Sequence, residues 1–153
     1  MATNGPSTEY KPPQTSRPKR PPTGDEEASA QLRLGDFQDV PSLNLSEARY
    51  VINAVTASRR AEKKRPIESE TLLKVQEYLE MFARYKQQER VQALEQVFDN
   101  TALHKFERSQ LGSLCPDTAD EAKTLIPSLE GKISEEELNV LLDEMKELRK
   151  IGE

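Results

Sequence analysis

The chain has no tryptophan, one histidine and one cysteine in 153 residues. The lone Cys115 excludes an internal disulfide, leaves no CxxC pair for zinc and fits a reducing nuclear or cytosolic compartment. His104 has no visible partners for a triad or a metal site, so neither is expected. Long apolar runs are also missing. No segment approaches the roughly 20 apolar residues of a membrane span, and the N-terminus lacks a signal-peptide core, so a soluble protein with no membrane contact is expected. No glycine-rich phosphate loop and no βαβ alternation occur, which leaves a helical rather than an α/β architecture. A net positive charge is also missing: 22 Lys and Arg against 27 Asp and Glu give a formal net charge of -5, which argues against a dominant nucleic-acid role, since backbone binding needs many phosphates neutralised. With four Phe and four Tyr, the interior has to be built from Leu, Val, Ile and Ala. One modest domain of marginal stability follows. Carboxylates are plentiful, but Glu135, Glu136 and Glu137 and the group Asp117, Asp120 and Glu121 fall at helix starts, where negative charge favours the dipole. Neither group has the ligand alternation and central glycine of a calcium loop. No catalytic residue, metal site or cofactor is expected.

What is present is helical. Leu103, Phe106, Leu111 and Leu114 make an apolar stripe that Pro116 ends. Thr118 starts the next helix with Glu121 as reciprocal partner, Leu125 and Ile126 form its buried side, and Pro127 stops it. Gly131 breaks the chain, Ser134 and Glu137 form a capping box, and Leu138, Leu141, Leu142, Met145 and Leu148 continue as a long stripe. Upstream, a helix over about 68–85 carries Leu72, Val75, Leu79 and Phe82, widened by Tyr78, Met81 and Tyr85. Another over 89–98 presents Val91, Leu94 and Phe98, and Asp99, Asn100 and Thr101 turn the chain after it.

Residues 1–30 hold six of the ten prolines with basic residues between them and cannot bury enough apolar surface to fold. A solvated arm is expected there, with a polyproline II ligand or a phosphate-touching arm as alternatives. Residues 31–58 form a second unit. Gln31 to Phe37 alternates with Leu32 and Leu34 on one side, which reads as a short strand, the only convincing one in the chain. A lone strand needs an outside sheet edge for its backbone groups; the alternative is an extended connector lying over the helices. Pro41 and Asn44 or Ser46 then open a helix with Leu45, Ala48, Val51, Ile52 and Val55 on one face. A basic linker follows at 59–67, with Arg59, Arg60, Lys63, Lys64 and Arg65. It reads as a solvated run suited to a helix C-terminus, with nucleic-acid contact as the alternative; no aromatic residue is interleaved for stacking. Residues 68–153 make up the helical domain. The expected fold class is all-α, about six helices plus one short N-terminal strand completed by a partner.

Three blocks carry a family resemblance: Leu103-His-Lys-Phe-Glu107, Leu111-Gly-Ser-Leu-Cys-Pro116 and Asp117 to Leu129, Asp-Thr-Ala-Asp-Glu-Ala-Lys-Thr-Leu-Ile-Pro-Ser-Leu. With Leu43-Asn-Leu-Ser-Glu-Ala-Arg-Tyr-Val-Ile52, they closely resemble the family of fourth subunits of eukaryotic RNA polymerase II, the smaller of the two stalk proteins, especially its fungal members. The resemblance covers about 32–148. It departs at Arg108 and Ser109, where relatives often have an apolar residue followed by alanine, and in the basic linker, where the family varies in length.

The resemblance implies a C-terminal module similar to the helicase and RNase D C-terminal domain. It implies a non-catalytic subunit in an obligate heterodimer with a larger stalk subunit of oligonucleotide-binding fold, docked on the polymerase II core. Roles in initiation, clamp restraint, factor recruitment and RNA handling follow, with nascent RNA reached through the stalk pair. So does a nuclear location, with the cytoplasm as an additional one. Leu32, Leu34, Phe37, Leu43, Leu45, Val51, Ile52 and Val55 are the residues expected to meet the partner. The alternatives are a direct RNA-binding helical module using Arg59 to Arg65, and the equivalent subunit of another nuclear polymerase.

Overall fold

The computed structural model describes residues 24, 26–62 and 69–150. The expected solvated arm therefore lies largely outside the described residues, as does the linker over 63–67. Six α-helices follow a short N-terminal ribbon: β1 (Glu27–Ala28), β2 (Leu32–Arg33), α1 (Leu45–Ala61), α2 (Glu70–Phe82), α3 (Gln88–Asp99), α4 (Lys105–Leu114), α5 (Ala119–Leu125) and α6 (Glu135–Lys150). Single 3-10 turns lie at Gly35–Phe37 and Pro127–Leu129. The all-α class with a small strand element holds. One premise does not. The strand at Leu32 is not alone, because β1 pairs with it antiparallel in register Glu27 to Arg33 and Ala28 to Leu32. The second strand comes from the segment assigned to the arm, whose polar composition hid a two-residue ladder. Leu34 lies beyond β2, where its N–H donates to Gln38 Oε1 at 2.9 Å.

The helix starts follow side-chain chemistry. Of the two candidates, Asn44 and not Ser46 caps α1: Asn44 Oδ1 accepts from the Ser46 and Glu47 N–H groups at 2.9 Å each, and Glu47 Oε2 accepts from the Asn44 N–H at 2.7 Å. That reciprocal box satisfies three donors that a helix start otherwise leaves open. Ser134 and Glu137 form the expected box on α6. On α5, Thr118 Oγ1 accepts from the Glu121 N–H, but the Glu121 carboxylate takes the N–H of Asp117 instead, one residue earlier. His104 caps α4, a role its sequence context did not suggest. Its Nδ1 accepts from the Phe106 N–H at 3.1 Å, so the Nε2–H donates to the Gln38 carbonyl at 2.9 Å and ties the N-terminal segment to α4.

The core runs from Tyr85 to Met145 and joins α3, α4, α5 and α6 around Leu94, Phe98, Leu111, Ala122, Ile126, Leu129, Leu138 and Leu142. The α6 stripe packs as its spacing predicts. On α5 the buried residues are Ala119 and Ala122 with Ile126 beyond the helix end, while Leu125 is exposed, and so is Leu114 on α4. The helix expected over 68–85 stops at Phe82. Ala83 turns extended so that Tyr85 enters the core, where its N–H donates to Ser46 Oγ at 3.0 Å and its hydroxyl to the Met145 carbonyl at 3.2 Å. Tertiary burial of one ring outweighs the last helical turn.

One charge sits inside this core. Glu107 is fully buried, yet its carboxylate accepts from Ser128 Oγ at 2.6 Å, from the His104 N–H at 2.8 Å and from the Lys132 ammonium. A buried carboxylate persists only when paired and hydrogen-bonded this fully. Arg108 and Ser109, the two departures from the family pattern, are accommodated by polar bonds. The Arg108 guanidinium donates to the carbonyls of Leu103 and Thr101 at 3.0 and 3.1 Å, and Ser109 Oγ donates to the Phe106 carbonyl at 2.9 Å.

Candidate functional site

The eight residues expected to meet a partner lie on the N-terminal segment and α1, and the structure divides them. Phe37, Leu43, Val51 and Val55 are exposed, Phe37 by 66%. Leu32, Leu34, Leu45 and Ile52 are half-buried. The division on α1 follows from helix geometry. Arg49 and Asn53 face α2, where Arg49 Nε pairs with Glu80 Oε1 at 2.8 Å and Asn53 Oδ1 accepts from Gln76 Nε2 at 3.3 Å. Residues two positions from these lie about 200° round the helix, so Val51 and Val55 point away from α2.

The first turn of α1 is embedded by contrast. The Leu45 N–H donates to Ser113 Oγ on α4 at 3.1 Å, and Asn44 and Ser46 are each 1% exposed. Gly112 makes this approach possible, since a Cβ there would lie 3.2 Å from Asn44 Cβ and Nδ2 and from Leu94 Cδ2. Glu47 abuts Glu95 of α3, and burial, followed by the hydrogen bond and charge of Glu95, pushes its carboxyl up to about 7 despite the opposing Asn44 N–H.

The spacing on α2 marks Leu72, Val75, Leu79 and Phe82 as one apolar face, suited to a core or to an interface. Only Leu79 is buried and Leu72 half-buried; Val75, Phe82, Tyr78 and Met81 are exposed. The Tyr78 and Phe82 rings lie against each other with centroids 4.6 Å apart. α2 packs chiefly on α1, and one neighbour cannot cover so wide an apolar face. Periodicity reports which face is apolar and not what covers it, so the pattern alone leaves core and interface equally open. The structure leaves most of this face exposed, and its unusual width, seven apolar positions in thirteen residues, is the signal in the sequence for an uncovered surface.

The basic run is only partly described. Arg59 and Arg60 occupy the last exposed turn of α1, as suits the negative end of its dipole. Lys63, Lys64 and Arg65 lie outside the described residues. Cys115 is a half-buried residue in left-handed conformation (φ 49°) at the end of α4. Burial pushes its thiol up, which keeps it protonated and unreactive. Among the described residues no cluster of His, Cys, Asp and Glu could hold a metal ion, and no helix is long and apolar enough to cross a membrane.

The sequence matches the RNA polymerase Rpb4 family model over residues 42–149. It is 44% identical over 127 residues to a Schizosaccharomyces pombe protein named DNA-directed RNA polymerase II subunit rpb4, covering 82% of this chain and 93% of that one. The Saccharomyces cerevisiae protein named DNA-directed RNA polymerase II subunit RPB4 is 56% identical over 72 residues, which are 47% of this chain and 33% of the relative. A Dictyostelium discoideum protein of the same name is 40% identical over 82 residues, 54% of this chain and 52% of that one. With the matched region taking in every helix from α1 to α6, the chain belongs to the RNA polymerase Rpb4 family.

Proposed function

We propose that this chain is a non-catalytic subunit of nuclear RNA polymerase II, one half of a stalk heterodimer whose other half is a larger subunit of oligonucleotide-binding fold. Its work is scaffolding: it completes the stalk, and through it contributes to initiation, clamp restraint and the handling of factors and RNA. Family membership supports the assignment to a polymerase, and the names of the three relatives favour polymerase II over another nuclear enzyme. The observation that carries the docking claim is the uncovered apolar surface at Phe37, Leu43, Val51 and Val55. These residues lie on the segment where partner contact was expected, and burying such surface stabilises by roughly 25 cal/mol per Å². β2 supports it further, because a two-stranded ribbon still offers open edges to a partner sheet.

Co-expression with the larger stalk subunit tests the reading. A stable complex with a raised melting temperature is expected, because a partner that binds only the folded state shifts unfolding by mass action. Indifference of a stable monomer to that subunit overturns it. Leu32→Asp together with Leu34→Asp tests the ribbon separately: undiminished pull-down removes the ribbon from the interface.

A further inference from the structure

Where α2, α3 and α6 converge, the chain carries a concentration of positive charge at odds with its acidic balance. Arg84 and Lys86 lie in the connection between α2 and α3, Arg90 in the first turn of α3 and Arg149 in the last turn of α6. Together with Met81 they line one open groove of about 290 Å³. The packing of α3 on α6 brings the four cations together, and the Arg90 guanidinium donates to the Arg149 carbonyl at 3.5 Å. Arg84 and Arg149 both act electrostatically on Tyr85 and Cys115, as two charges flanking one site must.

The groove's charge is largely uncompensated. Among the described residues no carboxylate is within ion-pair distance of Arg84, Lys86 or Arg90. Glu80, the acid that Lys86 reaches at longer range, is held by Arg49 at 2.8 Å. Arg149 has only a loose contact with Asp117 at 3.9 Å. Glu89 neighbours Arg90 in sequence but pairs with none of the four. Clustered like charges repel and cost stability, so an unpaired set of this size fits a surface that an anionic partner neutralises.

We infer that this groove binds a short acidic peptide segment of another protein, with carboxylates on the Arg84, Lys86, Arg90 and Arg149 cluster and an apolar residue against Met81. Guanidinium forks suit carboxylates in bidentate geometry. Met81 is 75% exposed at the rim, and a flexible thioether accommodates apolar side chains of varied shape. A nucleic-acid strand fits less well. No aromatic ring lines the groove to stack a base, and beyond Met81 the surface continues into Glu77 and Glu80, which repel an extended polyanion. The site is separate from Val51 and Val55 and does not rest on the stalk assignment.

Fluorescence anisotropy with the full chain tests it, using as probes a labelled peptide of about eight residues that intersperses glutamate and aspartate with leucine, and oligouridylate of about eight nucleotides. The peptide is expected to bind more tightly at about 50 mM than at about 200 mM salt. Arg84→Glu with Lys86→Glu should weaken it about tenfold or more, with the melting temperature retained because both side chains are exposed and unpaired. Arg84→Lys with Lys86→Arg keeps the charge and should keep most of the binding. Absence of peptide binding, binding unmoved by the charge reversal, or tighter binding of oligouridylate than of peptide overturns the inference.

Discussion

At the scale of single residues, Glu47 carries two jobs that pull its proton in opposite directions. As the reciprocal partner in the α1 capping box it accepts the Asn44 N–H, which favours the carboxylate. Burial and the neighbouring Glu95 favour the acid and prevail, moving the group from an ordinary 4.5 to about 7. A carboxyl whose folded-state value is raised stabilises the fold below about 4.5, loses that contribution as the pH climbs to about 7, and changes little above. Unscreened, such a shift corresponds to about 3 kcal/mol; because Glu47 is only half-buried, screening reduces it to roughly 1 kcal/mol. Glu47→Gln should therefore flatten this part of the pH profile, since an amide accepts from Asn44 and donates to Glu95 without titrating. Urea unfolding of both proteins at about pH 5 and about pH 8 checks it. The variant gains on the parent at the higher pH, and an equal difference at both pH values refutes the mechanism.

At the scale of elements, the joint between α1 and α4 depends on Gly112. Alanine there gains up to about 1 kcal/mol of helix propensity but forces a Cβ to 3.2 Å from two atoms of Asn44 and one of Leu94. Overpacking a filled interior costs about 1–3 kcal/mol, so the net effect of Gly112→Ala is a loss. Truncating Asn44 to alanine removes a cap worth about 1 kcal/mol and also the Nδ2 contact. The Gly112→Ala cost should then shrink in the Asn44→Ala background, a coupling that a double-mutant cycle by thermal unfolding measures. Additive costs would mean the two side chains do not compete for space. This joint also marks how far the sequence could be read. The stripes on α3 and α6 and the proline and glycine stops were legible, because each is set within a few residues of chain. The capping role of His104, the pairing of β1 with β2 and the burial of Tyr85 beyond α2 were not, because each depends on a distant segment. Of the proposed docking surface, the sequence shows the apolar positions on α1 but not which of them stay uncovered. Spacing marked Val51 and Val55 as apolar, yet only the packing of Arg49 and Asn53 on α2 established which side remains uncovered, and only then did Tyr78, Met81 and Phe82 emerge as exposed.

At the scale of the whole molecule, the distribution of apolar burial is uneven. The core cluster draws every member from Tyr85 onward and none from α1 or α2. On the first two helices Leu79 is the one fully buried apolar side chain, with Leu45, Ile52 and Leu72 only half-buried, and much of the remaining attachment is polar: the Asn44 box, the Ser46 to Tyr85 bond, and the Arg49 and Asn53 contacts to α2. Exposed ion pairs and side-chain hydrogen bonds contribute about 1 kcal/mol or less each, whereas a buried Leu or Phe contributes about 1.5–3 kcal/mol. The layer formed by α1 and α2 is therefore the least stable cooperative unit, able to open while α3 to α6 stay folded. Native-state hydrogen exchange of the free chain should find amides of α1 and α2 exchanging at lower free energy than those of α4 and α6. If the larger stalk subunit covers Val51 and Val55, adding it should slow exchange chiefly in α1 and α2, since a ligand protects the unit it binds. Val51→Asp with Val55→Asp separates docking from folding. Both side chains are exposed, so the free variant should exchange much as the parent does, while the added subunit no longer protects α1. Protection that persists in the variant, or that spreads evenly over α3 to α6, would place the partner on a different face of the molecule.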